Sequence, residues 1–149
     1  MEQERARLSV EKVAKVLLII LIAFIVGAAV FTFFKIRVDA KATLRDAKNV
    51  RMALRSADIE MYAKSKTIYN PLKKNGLEVG VKEKVEQYIT PDGIYSITSY
   101  DYSKHELTGM TYRDGHYVVY FSKNADNIKW EVNYIMNVYT YDESDVIVD

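Results

Sequence analysis

His105 and His116 are the chain's two imidazoles, the side chains best suited to proton transfer or metal ligation near neutral pH. Neither has a second ligand at metal-binding spacing. His105 follows a turn at Ser103-Lys104 and His116 begins a strand beside Asp114-Gly115, so both read as surface or half-buried strand residues. Asp142, Glu143, Asp145 and Asp149 offer hard oxygen ligands. They lack the Asx spacing and turn glycine of a calcium loop and read as a solvated tail. The absence of Cys removes a thiolate zinc site, a Cys nucleophile, a redox CxxC and a disulfide scaffold. No glycine-rich phosphate loop, nucleophile elbow or HExxH stands in the sequence. These residue types predict a non-enzymatic protein without a metal or cofactor. Twelve Tyr, all between Tyr62 and Tyr141, are the remaining binding chemistry: Tyr95, Tyr100, Tyr102, Tyr112, Tyr117, Tyr120, Tyr134, Tyr139 and Tyr141 offer either a sticky exposed sheet face or ordinary sheet packing.

The elements that carry these residues begin with an anchor. Val16 to Phe34 reads VLLIILIAFIVGAAVFTFF, without a charge and with Thr32 as its single polar side chain. As a helix it spans about 28 Å, close to one bilayer hydrocarbon thickness. A cleaved signal peptide would use Gly27-Ala28-Ala29 as its cleavage site. It would leave Val30, Phe31, Phe33 and Phe34 as an apolar new terminus, so a retained transmembrane helix over 16–34 is the better reading. Ala23 and Gly27 form a small-xxx-small pair able to seat another helix. Arg5, Arg7, Lys12 and Lys15 precede the span, whereas Lys35, Arg37, Lys41, Arg45, Lys48 and Arg51 follow it. By the positive-inside rule these counts lean towards a cytoplasmic C-terminal domain, in which case Lys35 to Arg55 would face anionic lipid. A short N-tail before a signal anchor favours the opposite, N-in orientation.

After the anchor no Gly or Pro occurs until Pro71, so nothing stops the helix at the membrane surface. Leu44, Ala47, Val50, Leu54, Ala57 and Met61 recur at helical spacing and form one apolar stripe. Arg45, Asp46, Lys48, Arg51, Arg55, Asp58 and Lys64 are assigned to the other faces. The helix is expected to end near Ser65 to Tyr69, before Asn70-Pro71 and Asn75-Gly76. Val81, Val85 and Tyr88 are spaced for a short helix. From Ile94 the period becomes two, predicting strands near 94–102, 106–113, 116–122 and 128–141. Asp114-Gly115 reads as a two-residue hairpin turn with positive φ at both positions. On the last strand Trp130, Val132, Tyr134, Met136 and Val138 share one face. The fold class expected is α+β, a long N-terminal helix packed through its stripe on an antiparallel β-meander.

The 149 residues suit one soluble domain: an N-tail over 1–15, the span over 16–34, an amphipathic helix over 35–69, and a loop, short helix and sheet over 70–149. With 21 basic and 20 acidic residues, net charge gives no reason to expect a nucleic-acid partner. Its distribution is uneven: residues 35–74 hold eleven basic and four acidic groups, a net of +7, and residues 75–149 hold six and thirteen, a net of −7. The two segments are suited to attract one another within a molecule or between neighbours.

This layout of basic N-tail, membrane helix running on into an amphipathic helix, and closing sheet resembles the type IV pilins and type II secretion pseudopilins. KATLRDAKNVRMALRSADIEMYAKSKTIYN is similar to that family's helix end, an Ala-rich, Arg-containing helix closing on a Tyr and a loop. The likeness spans nearly the whole chain and rests on architecture. Cleavage after Ala6 would put Arg7 first and Glu11 fifth in the mature chain, where the family has a Glu. The processing motif is degenerate, since Ala6 replaces the Gly, Arg7 replaces an aromatic residue, and Lys12 and Lys15 interrupt the apolar run. The resemblance implies an extracytoplasmic sheet domain, transmembrane helices packed together in a filament core, and other pilin-like subunits and assembly machinery as partners. The alternative is a single-pass, membrane-anchored binding or sensory module that does not polymerise.

Overall fold

The computed structural model describes residues 2–125 and 127–135, with the backbone alone at 2–9 and 11. Six elements follow one another: α1 (Glu2–Tyr62), α2 (Val81–Glu86), β1 (Ile94–Asp101), β2 (Glu106–Asp114), β3 (Tyr117–Asn124) and β4 (Asn127–Tyr134). The chain falls into two compact units, Met1–Asp39 and Ala40–Asp149. The architecture is α+β, as the change of hydrophobic period requires.

In the first unit the large apolar side chains of residues 16–34 are 50% to 73% exposed. This is a helix long and apolar enough to cross a membrane. Thr32 satisfies its hydroxyl by donating to the Ala28 carbonyl at 2.9 Å, which leaves the run without an unpaired polar side chain.

In the second unit the strands form an antiparallel meander in the order β1-β2-β3-β4. Two cross-strand rows line its inner face. Ile97, Met110, Phe121 and Trp130 are register partners in one, and Tyr95, Tyr112, Val119 and Val132 in the next. The side chains of β1, β2 and β3 in these rows share one hydrophobic cluster with Ala47, Val50, Ala53, Leu54, Ala57 and Met61, and Trp130, Val132 and Leu44 pack against it. Helical period three to four meets strand period two, and α1 covers the face that the sheet would otherwise expose. Val81 and Val85 of α2 close the same core.

The expected boundaries shift for local reasons. Helix α1 ends at Tyr62 rather than at 65–69, because Ser65 adopts a left-handed φ of 56°. The Lys66 amide donates to the Met61 carbonyl at 3.0 Å and the Ser65 amide to Tyr62 at 2.8 Å, the paired bonds of a Schellman end. The β2–β3 loop is Gly115-His116, one residue later than expected, since Asp114 pairs with Tyr117. Gly115 alone has positive φ, which matches a II′ rather than a I′ turn. Asp58, expected on an outer face, is buried beside the stripe at 6% exposure. The tyrosines do not form one exposed face: Tyr95, Tyr100, Tyr112 and Tyr117 are buried, whereas Tyr102, Tyr120 and Tyr134 are exposed. Met136, Val138, Tyr139, Tyr141 and the acidic tail, and the side chains of Ala6, Arg7 and Glu11, lie outside the described residues.

The loop before α2 is pinned to the sheet. The Ile97 amide of β1 donates to the Asn75 carbonyl at 3.0 Å, and Gly76 has φ 65°. A Cβ on Gly76 would stand 2.0 Å from the Ile97 carbonyl oxygen. Gly76→Ala should therefore destabilise the second unit by about 3 kcal/mol or more. Leu54→Ala, at a fully buried position, should cost about 2 to 5 kcal/mol. Ser65→Gly should instead stabilise by about 0.5 kcal/mol by relieving the left-handed Ser. Urea titrations of the detergent-solubilised full chain, followed by Trp130 fluorescence, would order the three.

Candidate functional site: a cationic cleft over a buried carboxylate

Three consecutive turns of α1 put Arg51, Arg55, Asp58 and Ile59 along one margin of the buried stripe. Facing them, the β1–β2 turn and the start of β2 supply Lys104, His105, Glu106 and Leu107, and together the eight residues line a cleft of about 340 Å³. The turn is held by Asp101, whose carboxylate accepts from the Ser103 amide at 2.9 Å, the Ser103 hydroxyl at 2.6 Å and the Lys104 amide at 3.2 Å. These bonds hold the Asp101 carboxyl below its ordinary range, the Ser103 hydroxyl contributing most. His105 closes the turn with φ 48° and lays its ring 4.3 Å from that of Tyr62. Glu106 is paired with Lys123.

The cleft carries an excess of positive charge. Arg51 is half-buried, its guanidinium 4.4 Å from the Phe121 ring centroid. Burial lowers its pKa, Arg55 lowers it further, and Glu106 acts against both. Two guanidiniums on adjacent turns thus repel each other at the mouth.

Asp58 closes the cleft from the core side. Tyr100 donates its hydroxyl to both carboxylate oxygens, at 2.9 and 3.1 Å. A bulge makes this contact: the β1–β2 register shifts between Ile97 and Tyr100, so strict alternation is broken and Tyr100 turns inward towards α1. Its ring is braced by Tyr69 at 6.2 Å and Tyr102 at 5.3 Å. Burial raises the Asp58 carboxyl above its usual range, opposed by Tyr100, the Ile68 backbone and His105. The same burial, with Asp58 beside it, pushes the Tyr100 hydroxyl well up. The pair is a buried hydrogen bond that fixes α1 on β1.

Sequence reasoning placed His105 at a turn and Arg51 and Arg55 on one helix, but it did not bring them together. Their convergence depends on which flank of the stripe meets the β1–β2 turn, and a single helical pattern leaves that open. Asp58 carried a faint signal, since it stands four residues from Leu54 and three from Met61, at the stripe's margin. Ala23 and Gly27 remain exposed, and an added Cβ on Gly27 meets nothing within 4 Å. No group of three or more metal-ligating side chains converges among the described residues.

No family model, curated protein or solved structure matches the chain.

The Asp58–Tyr100 pair has a pH signature. A carboxyl whose pKa is higher folded than unfolded binds its proton more tightly in the folded state. Stability is therefore lost as pH climbs past the unfolded value of about 3.9 and through the raised folded value. Asp58→Asn keeps an acceptor for Tyr100 and cannot ionise, so it should gain on the wild type across that window, read as the difference between their thermal midpoints. Tyr100→Phe should cost about 1 to 3 kcal/mol at neutral pH by leaving the carboxylate underbonded.

Proposed function

We propose that the chain is a non-enzymatic, single-pass membrane protein serving as a pilin-like structural or assembly subunit of a type IV pilus or type II secretion-like filament. The N-terminus is cytoplasmic and the sheet domain extracytoplasmic. One observation carries the reading: a single helix, α1, supplies both an uncovered apolar run over 16–34 and the stripe that completes the sheet's core. Leaving that run in water would forgo about 1.5 to 3 kcal/mol for each large side chain, whereas lipid accepts it and the helix satisfies its own backbone. Inside lipid the hydrophobic effect no longer drives helix association, so packing through Ala23, Gly27, Ala28 and Ala29 becomes the adhesive. A helix that both anchors and folds the domain suits a subunit held by its neighbours through the membrane segment.

A second reading, an anchored binding or sensory module that stays unpolymerised, draws support from the cationic cleft. The two separate in one set of strains, because the chain has no native Cys to confuse the readout. Asn127→Cys, at an exposed position starting β4, should react with a membrane-impermeant maleimide in intact cells whose envelope admits the reagent. Gly27→Cys should give disulfide-linked dimers through the membrane helix under mild oxidation. Labelling without Gly27→Cys dimers would favour the binding module. Labelling only after lysis would put the domain in the cytoplasm and end the subunit reading.

A further inference from the structure

The second unit bears a further concavity, of about 280 Å³, whose charge is opposite to that of the first. Asp46, Asn49 and Val50 of α1 line it with Ile89, Thr90, Pro91, Asp92 and Tyr112. Asp114 stands two residues beyond Tyr112 on β2, and its carboxyl is raised first by burial and then by Asp92 and Asp46. Tyr112, on its wall, is pushed up to about 12 by burial first and then by Asp114, with Asp46 and Asp92 adding to it and the Gly93 amide opposing. Asp46 pairs with exposed Arg45 at 3.4 Å. Like charges therefore crowd one another in both concavities, carboxylates here and guanidiniums in the first.

Their positions are as informative as their signs. At about 100° per residue, Asp46 and Asn49 fall on one flank of α1's buried stripe, and Arg51 and Arg55 fall on the other. Contacts agree: Glu60, on the Asp46 flank, pairs with Lys84 of α2, while Arg51 lies over Phe121 of β3 and Lys48 stands 5.8 Å from the Trp130 ring of β4. Along β2, Leu107 lines the cationic cleft and Tyr112 the acidic one, about 17 Å apart at strand rise. Complementary patches on opposite flanks cannot meet within one molecule. A two-fold contact would need both patches on one shared surface, each pairing occurring twice, so patches on opposite flanks suit a head-to-tail contact instead.

We infer that the cationic cleft of Arg51, Arg55 and Lys104 receives the acidic face of Asp46, Asp92 and Asp114 on a second copy of this chain, in a head-to-tail contact. The inference rests on the subunit reading and adds the lateral contact between soluble domains. Each copy keeps one cleft and one acidic face available after pairing, so the contact repeats without closing on itself unless the rotation between copies forms a ring. Exposed Ile59 at the rim of the first cleft and Pro91 beside Asp92 supply apolar surface next to the charges.

The test uses full-length chains in their native membrane. One chain carries Ile59→Cys at the cationic rim and a second, differently tagged, carries Thr90→Cys at the acidic one. With a short bis-maleimide the mixed product should exceed both like-with-like products about tenfold. Adding Arg55→Glu to the first chain should cut the mixed product about tenfold, and Asp92→Lys in the second should restore it. Predominance of a like-with-like product, a mixed product indifferent to charge reversal, or capture of a different protein at Ile59→Cys would overturn the inference. Gly27→Cys dimers run alongside. If they form while the mixed product does not, this contact is wrong and the subunit reading stands. If neither forms, the subunit reading fails and this contact with it.

Discussion

Everything in the second unit depends on one burial event, the closing of α1's stripe over the inner face of a four-stranded sheet. A meander of this size has one apolar face and no second sheet to cover it, so the helix must supply the cover. The stripe answers the shape of that face with a mixture of sizes. Ala47, Ala53 and Ala57 bring the helix backbone close, while Val50, Leu54 and Met61 fill the spaces between Tyr95, Ile97, Met110 and Tyr112. The core is thus assembled from residues far apart in sequence, and neither half of the chain can be finished without the other.

Polar chemistry is layered on that core and takes its direction from it. Asp58 stands at the margin of the stripe, so burying the stripe buries a carboxylate, and the β1 bulge supplies the hydroxyl that makes this tolerable. Arg51 stands at the same margin two turns earlier and rests on Phe121. One helix position thus decides which charges are drawn into the structure and which are left around the cleft. The opposite margin follows the same logic with Asp46 and Glu60, and Glu60 is tied to Lys84 and Tyr88 beyond it.

Sequence periodicity was enough to locate the stripe, the short helix and the four strands, because burial on one side imposes a period the chain must keep. It was weaker wherever a single residue sets the geometry. Ser65 ends α1 in a conformation usually reserved for Gly or Asn, and the sequence around it continues to read as helix. The hairpin loop moved by one residue because Asp114, a good turn former, was used as the last ladder residue instead. The cleft was the least legible feature. It joins a helix flank to a turn some fifty residues away, and the bulge that aligns them leaves no mark in the alternation of β1. The apolar run over 16–34, by contrast, is written in composition alone.

Gly76 bears on more than its own turn. A meander in the order β1-β2-β3-β4 leaves the outer side of β1 as a sheet edge, with amides and carbonyls ready to template another strand. The loop around Asn75 and Gly76 occupies that side, taking the Ile97 amide and lying so close to the Ile97 carbonyl that no side chain fits between them. It is an edge guard. Such a guard leaves an approaching strand no free ladder at this edge, so contacts with other chains are left to side chains rather than to strand-on-strand pairing.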